Sequence, residues 1–264
     1  MDLQLTGKTA LVTGSTAGIG RAIASLLAAE GAVVTINGRT RQRVDEAVSH
    51  IRKTHPRANV SGIDADVSTA AGCDKLAAAL AHVDILVNNA GIFEPKPFVE
   101  ISDRDWDRFF QTNVMSGVRL SRFYLPKMFK QNWGRVIFIS SESGLQTPVE
   151  MIHYGMTKTA QLAVSRGLAE MTIGTHVTVN SVLPGPTASE GVDAMVSQLA
   201  GSQKVSRQEV EKQFFKTARP WSLLQRFATP EEVANLVAYV CSPLSSATNG
   251  ASLRVDGGVV RSIA

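Results

Sequence analysis

Thr9-Ala10-Leu11-Val12-Thr13-Gly14-Ser15-Thr16-Ala17-Gly18-Ile19-Gly20, running on into Arg21-Ala22-Ile23-Ala24, is the stretch from which the fold is read. A short apolar run gives way to three spaced glycines and then to a helix-forming segment, the order strand, tight turn, helix. Glycines at such a turn let the backbone approach a pyrophosphate, whose charge meets backbone N–H groups and the positive end of the helix macrodipole. Glycines in an arbitrary loop would carry little weight. Between a strand and a helix they predict a dinucleotide cradle made by Gly14, Ser15, Thr16, Gly18, Ile19 and Gly20.

Outward from this turn, β-branched runs alternate with longer amphipathic stretches to the end of the chain, the pattern of βαβ units feeding a parallel sheet covered on both faces. Strands are expected over Thr9–Thr13, Val33–Asn37, Val60–Asp64, Ile85–Asn88, Val136–Ser140, Val177–Val182 and Ser252–Val255. They make one doubly wound α/β domain of the Rossmann type over residues 1–264, with a seven-stranded parallel sheet. Ser68 and Ser102 are expected to cap helices. Thr229-Pro230-Glu231-Glu232 combines an N-cap, a proline at the first helical position and a capping-box glutamate. Between Gly185 and Arg226 the helical pattern weakens and no strand intervenes, so residues 186–226 are expected to form a helical substrate lid.

The composition bounds the function. With 264 residues, 44% hydrophobic and 19% charged, the chain can bury one full core. No apolar run is long enough for a membrane span and Met1–Lys8 lacks an export signal, so a cytoplasmic protein without a membrane partner is expected. Cys73 and Cys241 show no paired spacing, and no His, Asp or Glu cluster has metal-ligand spacing, so neither a disulfide nor a metal is expected. The net charge of +4 is spread among acids as on ordinary solvated helices, and no nucleic-acid-reading module is present.

The end of the second strand, Ile36-Asn37-Gly38-Arg39-Thr40-Arg41, bears on which dinucleotide binds. A site for NAD(H) ordinarily places an acid there to hold the adenosine ribose hydroxyls. Gly38 stands at that place, and Arg39 beside it can fork onto a 2′-phosphate, so NADP(H) is expected over NAD(H). The alternative is that Arg39 and Arg41 are solvated helix-start residues. Asp66 and Val67 are candidates for the adenine, Asp66 being equally able to cap the next helix. Asn88-Asn89-Ala90-Gly91 ends the fourth strand with small residues against which a cofactor can lie, Asn88, Ala90 and Gly91 being the candidates, and with asparagine side chains that can tie neighbouring strands together.

Tyr154 and Lys158 are four positions apart, which places both on one helix face. A phenol ordinarily titrates near 10, and a neighbouring cation lowers that value toward useful acid–base chemistry. The pair alone is common. In this chain it follows, in order, Thr13 to Gly20, Asn88 to Gly91, Asn113, and Ser140-Ser141-Glu142-Ser143-Gly144, and it precedes Val255-Asp256-Gly257-Gly258. That succession resembles the short-chain dehydrogenase/reductase family along the whole chain, and is similar to its 3-oxoacyl-[acyl-carrier-protein] reductases.

The resemblance implies roles. Tyr154 would give a proton to a carbonyl oxygen or take one from an alcohol, Lys158 would lower the phenol and hold the nicotinamide ribose, and Asn113 would support a water relay behind the lysine. Ser141 would bond the substrate oxygen; Ser140 and Ser143 are its rivals, and the spacing to Tyr154 and the glycine three residues on favour Ser141. Pro184 and Gly185 resemble the turn on the nicotinamide side, with Thr187 or Ser189 facing the carboxamide. It further implies a small carbonyl or alcohol substrate and a homotetramer or homodimer, with the apolar 259–264 tail at an interface. Glu142, Glu150 and His153 flank the trio and are expected as solvated loop residues, contact with a substrate being the alternative. A 3-oxoacyl thioester is one expected substrate, with Arg122, Lys127 and Lys130 as a docking patch; a cyclic ketone, sugar or steroid-like alcohol is the alternative. A catalytically silent nucleotide sensor would not need Asn113, Ser141, Tyr154 and Lys158 together.

Overall fold

The computed structural model describes residues 1–263. Seven strands form one parallel sheet: β1 (Thr9–Val12), β2 (Val33–Gly38), β3 (Asn59–Asp64), β4 (Ile85–Asn88), β5 (Gly134–Ile139), β6 (Val177–Pro184) and β7 (Ser252–Val255). Their spatial order is β3-β2-β1-β4-β5-β6-β7, so the winding reverses between β1 and β4 and opens a crevice at the carboxyl ends of those strands. The expected strands are all present. Thr13 and Ser140 fall just outside β1 and β5, although their N–H groups still bond to Val87 and Val182 across the sheet.

Alternation along each strand divides the apolar interior in two. Ala10 and Val12 of β1, Ile85 and Val87 of β4, and Ile137 and Ile139 of β5 face one core. It is closed by α1 (Gly18–Ala29), α2 (Arg41–Thr54) and α9 (Pro230–Cys241). Leu11, Leu86, Val136 and Phe138 face the other, packed on α3 (Ala70–Ala79), α5 (Ser116–Gln131) and α6 (Ile152–Glu170). Because both faces are covered, β4, β5 and β6 are buried along their whole length, the condition under which parallel sheets occur.

Helix α4 (Asp103–Phe110) runs through a π-helical turn, Gln111–Met115, into α5. Ser102 caps α4 with Asp105 returning the bond, as expected of that serine. Ser68 does not cap α3. The cap is Thr69, which accepts from Gly72 N at 3.0 Å, because Asp66 already engages the N–H and hydroxyl of Ser68 at 3.0 and 2.7 Å. The 186–226 segment contains α7 (Glu190–Gln203) and α8 (Arg207–Thr217).

Helix α9 begins in the capping box read from sequence. Thr229 Oγ1 accepts from Glu232 N at 3.2 Å, and Glu232 accepts from Thr229 N at 2.8 Å while also pairing with Arg226. Replacing Thr229 with alanine leaves a donor of the first turn without its partner. Thr229→Ala is expected to lower the free energy of unfolding by about 1 kcal/mol, read by urea denaturation.

Candidate active site

The glycine turn lies in the crevice between β1 and β4. Gly14 has φ +59° and backs onto Ala90, whose Cα would stand 2.9 Å from any Cβ added at 14. Gly18 also has positive φ, at +53°. Both conformations favour glycine. Asn89 secures this approach by donating from Nδ2 to Thr13 O at 2.9 Å and Gly14 O at 3.0 Å. Gly14, Thr16, Gly18, Ile19 and Gly20 form one wall of the cleft, Ala90 and Gly91 another, and Arg39, Asp66 and Val67 its far end. Exposed backbone at a helix start, small residues where a flat group must pass and an exposed arginine at the distal end together fit a phosphorylated dinucleotide.

Two of the candidate residues have their side chains engaged within the fold. Ser15 is fully buried, donating to Val12 O at 2.6 Å and accepting from Asn37 N at 3.0 Å, which ties β1 to β2. Asn88 is buried too, with Nδ2 donating to Ser121 Oγ at 3.2 Å. At Gly38, a Cβ would run into the Thr16 methyl and lie 3.2 Å from Val44 Cγ2, so an acid there requires Thr16 to turn aside.

Beyond the crevice lies a second cavity of about 370 Å³ that shares Ile19, Asn89, Gly91 and Ser189 with the cofactor cleft. Helix α6 supplies Tyr154 and Lys158, and the turn after β5 supplies Ser141, all on its lining. Lys158 is 4% exposed, donates from Nζ to Ile139 O at 2.9 Å and stands 5.5 Å from the Tyr154 ring centroid. Asn113 sits behind it in the π turn. Its side chain is spent on Ile92 N at 2.8 Å, Ile92 O at 3.0 Å and Thr157 Oγ1 at 2.9 Å, while its carbonyl accepts from Gln161 at 2.6 Å. Ser140 turns its hydroxyl to Lys158 O at 2.9 Å, which leaves Ser141 as the neighbour with its hydroxyl on the reacting side.

Burial raises the Tyr154 phenol above its ordinary value, the Glu142 carboxylate adds to the rise, and Ser141 and Arg219 partly offset it. Burial pushes Lys158 down to about 8, with Glu142 acting in the opposite sense. The phenol is therefore held in its acid form at neutral pH.

Glu142 is not the solvated loop residue expected of it. It is 5% exposed, accepts a hydrogen bond from the Ser141 hydroxyl, and meets Arg219 Nε at 3.3 Å. Arg219, 8% exposed, also donates to Glu150 at 2.9 Å. His153 is not solvated either; it is fully buried against Phe109 and Trp106, and burial lowers its pKa. Thr187 donates to Gly185 O at 2.9 Å, and Ser189 caps α7. Both line the cavity. Asn89 makes the kind of tie that the sequence allows to the asparagines of Asn88-Asn89-Ala90-Gly91. Arg219 has no role legible in the sequence, because it lies far along the chain from its partner Glu142, with no motif to join them.

A sequence profile described as short chain dehydrogenase matches residues 8–200. The chain belongs to that family. It is 52% identical over 263 residues to the uncharacterized oxidoreductase YvaG of Bacillus subtilis, with 100% of each chain covered. It is 34% identical to the 3-oxoacyl-[acyl-carrier-protein] reductase FabG of Aquifex aeolicus, covering 98% of this chain and 100% of that one. Among solved structures, L-sorbose reductase from Gluconobacter frateurii, complexed with NADPH and L-sorbose, superposes with TM-score 0.93 at 30% identity over 100% of both chains. This short chain dehydrogenase is accordingly an oxidoreductase. Among the described residues no group of side chains could hold a metal ion, and no helix is long and apolar enough to cross a membrane.

The buried lysine gives the site a measurable signature. Unfolded, Lys158 keeps its proton up to 10.5; folded, it releases it near 8, so between these values the unfolded chain binds more protons and stability rises with pH. Lys158→Met removes this dependence. The unfolding free energy of the wild type relative to Lys158→Met is expected to increase by about 3 kcal/mol from pH 7.5 to 10.5, read by denaturant titration at each pH.

Proposed function

We propose that the chain is an NADP(H)-dependent oxidoreductase that interconverts a ketone and a secondary alcohol, with Tyr154 as general acid and base. The observation that carries this reading is the meeting of Ser141, Tyr154 and Lys158 on one cavity that opens into the glycine-walled cleft. Bound NADPH would supply the hydride. Tyr154 would give its proton to the oxygen of the substrate, Ser141 would hold that oxygen in place, and Lys158 would anchor the nicotinamide ribose while its charge steadies the phenol as the proton leaves. Asn113, locked by four hydrogen bonds, would keep the floor of the site in place. Gly14, Thr16, Gly18, Ile19 and Gly20 would cradle the pyrophosphate, with Asp66 and Val67 at the adenine and Thr187 or Ser189 at the carboxamide. Arg39 would fork onto the 2′-phosphate.

For the substrate we favour a compact ketone carrying hydroxyl groups. Phe93, Met151, Val192, Met195, Phe214 and Phe227 make an apolar wall, whereas Glu142, Glu150 and Arg219 place acceptors and donors close to the reacting oxygen. The sorbose complex of the superposing reductase supports a substrate of that kind. A 3-oxoacyl thioester is the second reading, supported by the apolar wall and by the likeness to the acyl-carrier-protein reductase. Its expected docking patch is incomplete, because Lys127 donates to Ala81 O at 2.7 Å and lies over the Phe123 ring. Association of copies of this chain is supported by the exposed Met171, Ile173, Trp221 and Leu223.

With NADPH absorbance as readout, L-sorbose and related ketoses are expected to be reduced faster than acetoacetyl thioesters, and Tyr154→Phe is expected to lose about 10³-fold in kcat. Faster reduction of the thioester would establish the second reading. Full activity in Tyr154→Phe would remove Tyr154 from the role of general acid and base. Arg39→Ala is expected to weaken NADPH binding about tenfold or more and to leave NADH binding nearly unchanged, by isothermal titration calorimetry.

A further inference from the structure

Three charged side chains meet beside the reaction centre, and the proton transfer described above does not use them. Glu142 follows Ser141 in the turn after β5, Glu150 precedes α6, and Arg219 arrives from the stretch after α8. Glu142 and Arg219 are almost fully enclosed, with side-chain exposures of 6% and 10%. A buried ion pair costs desolvation that hydrophobic residues of similar volume would avoid, so it is weak evidence for stability and directs attention to another use.

The bonds around Ser141 indicate that use. Its single hydroxyl proton goes to Glu142, and one of its lone pairs accepts from Ser143 N at 3.1 Å. The proton that would polarise a substrate carbonyl is therefore held by the carboxylate. To release it, Glu142 must find its hydrogen bonding elsewhere, and Arg219 Nε already stands against its other oxygen. We propose that Glu142, paired with Arg219 from the 186–226 segment, is a positioning residue that orients the Ser141 hydroxyl and sets the electric field across Tyr154 and Lys158. The proposal rests on the oxidoreductase reading of this site.

The charged and titratable groups around the lysine and phenol are few. On α6 there are Tyr154 and Lys158 themselves, while His153 turns away toward Phe109 and Trp106. The turn after β5 brings Glu142, the segment after α8 brings Arg219, and Glu150 lies behind Arg219. The π turn contributes the neutral Asn113, β5 a backbone carbonyl, and α7 and the loop after β4 the apolar Val192, Met195 and Phe93. Glu142 is thus the anion next to the proton-transfer pair, and it acts on both members in one direction, favouring a protonated phenol and a protonated lysine. A site so arranged holds both groups in their protonated forms, the state from which carbonyl reduction starts. Because Arg219 belongs to the segment that walls the substrate cavity, any displacement of that segment changes the charge felt at the centre.

The test is a ¹⁵N NMR titration of the Lys158 ammonium in the full chain, with no substrate present and with Lys158→Met to assign the resonance. Glu142→Gln keeps an acceptor for Ser141 but removes the charge, and is expected to lower the lysine midpoint by about one pH unit. Arg219→Met removes the opposing cation and is expected to raise it. A midpoint unmoved in both variants would overturn the proposal, as would movement in the reverse direction; if one variant does not fold, the other decides with the same criterion. With a ketone from the substrate panel, the pH profile of kcat is expected to move with the lysine midpoint. A uniform loss of kcat at every pH, without displacement of the profile, would mean a merely structural role and would also overturn it. Failure of every ketone in the panel would defeat the reading of the substrate as a ketone, while the NMR titration would still decide what Glu142 does.

Discussion

The burial of one ammonium group organises the reacting half of this molecule. Lys158 is a cation 4% exposed, and a charge in that position needs compensation from its surroundings. The Ile139 carbonyl at the end of β5 accepts its proton, and Asn113 closes the site behind it through bonds to Ile92 and Thr157. The π turn places Asn113 there: inserted between α4 and α5, it turns that side chain inward, a use of π-helical turns that recurs at functional sites. Ser140 fastens the β5 turn to the Lys158 carbonyl, and so brings Ser141 and Glu142 to the face of α6. Tyr154 follows because it lies one helical turn away from the lysine on the same face.

The topology brings this centre to the cofactor. Strand order reverses between β1 and β4, and the crevice there is the general ligand position of open parallel sheets. The glycine turn follows β1, and Asn89 stitches the loop after β4 to Thr13 and Gly14. Beyond β6, the stretch containing α7 and α8 closes the second cavity with apolar side chains and returns Arg219 to Glu142. The chain thus separates two constructions. The sheet edge presents the backbone of the glycine turn, and the later insertion shapes the space beside Tyr154.

How much of this the amino acids reveal depends on the range of the interaction. Strand identity was legible because β-branched runs bounded by glycine and asparagine admit few other readings, and both faces of the sheet are covered. The Thr229 and Ser102 caps were legible because every partner lies within three residues. The α3 cap was displaced by one position because the Asp66 side chain, which sequence left open between adenine and helix cap, binds Ser68 first. Tyr154, Lys158 and Ser141 stood out through their spacing. Glu142 was misread because carboxylates are seldom buried, and its counterion Arg219 lies in a region without periodic pattern. Ser15 sits in the expected motif, yet its side chain ties β1 to β2, which spacing does not disclose, and Asn88 makes its tie to Ser121 on α5 rather than to a neighbouring strand.

A direct titration of Lys158 tests the account where it is most exposed to contradiction. The ¹⁵N chemical shift of its Nζ, followed against pH in the wild-type chain without ligand, reports the protonation of that one group. Burial among Ile139, Asn113 and Tyr154 predicts a midpoint near 8. A midpoint at the ordinary lysine value of 10.5 would mean that the ammonium is solvated and that the centre is not assembled as described.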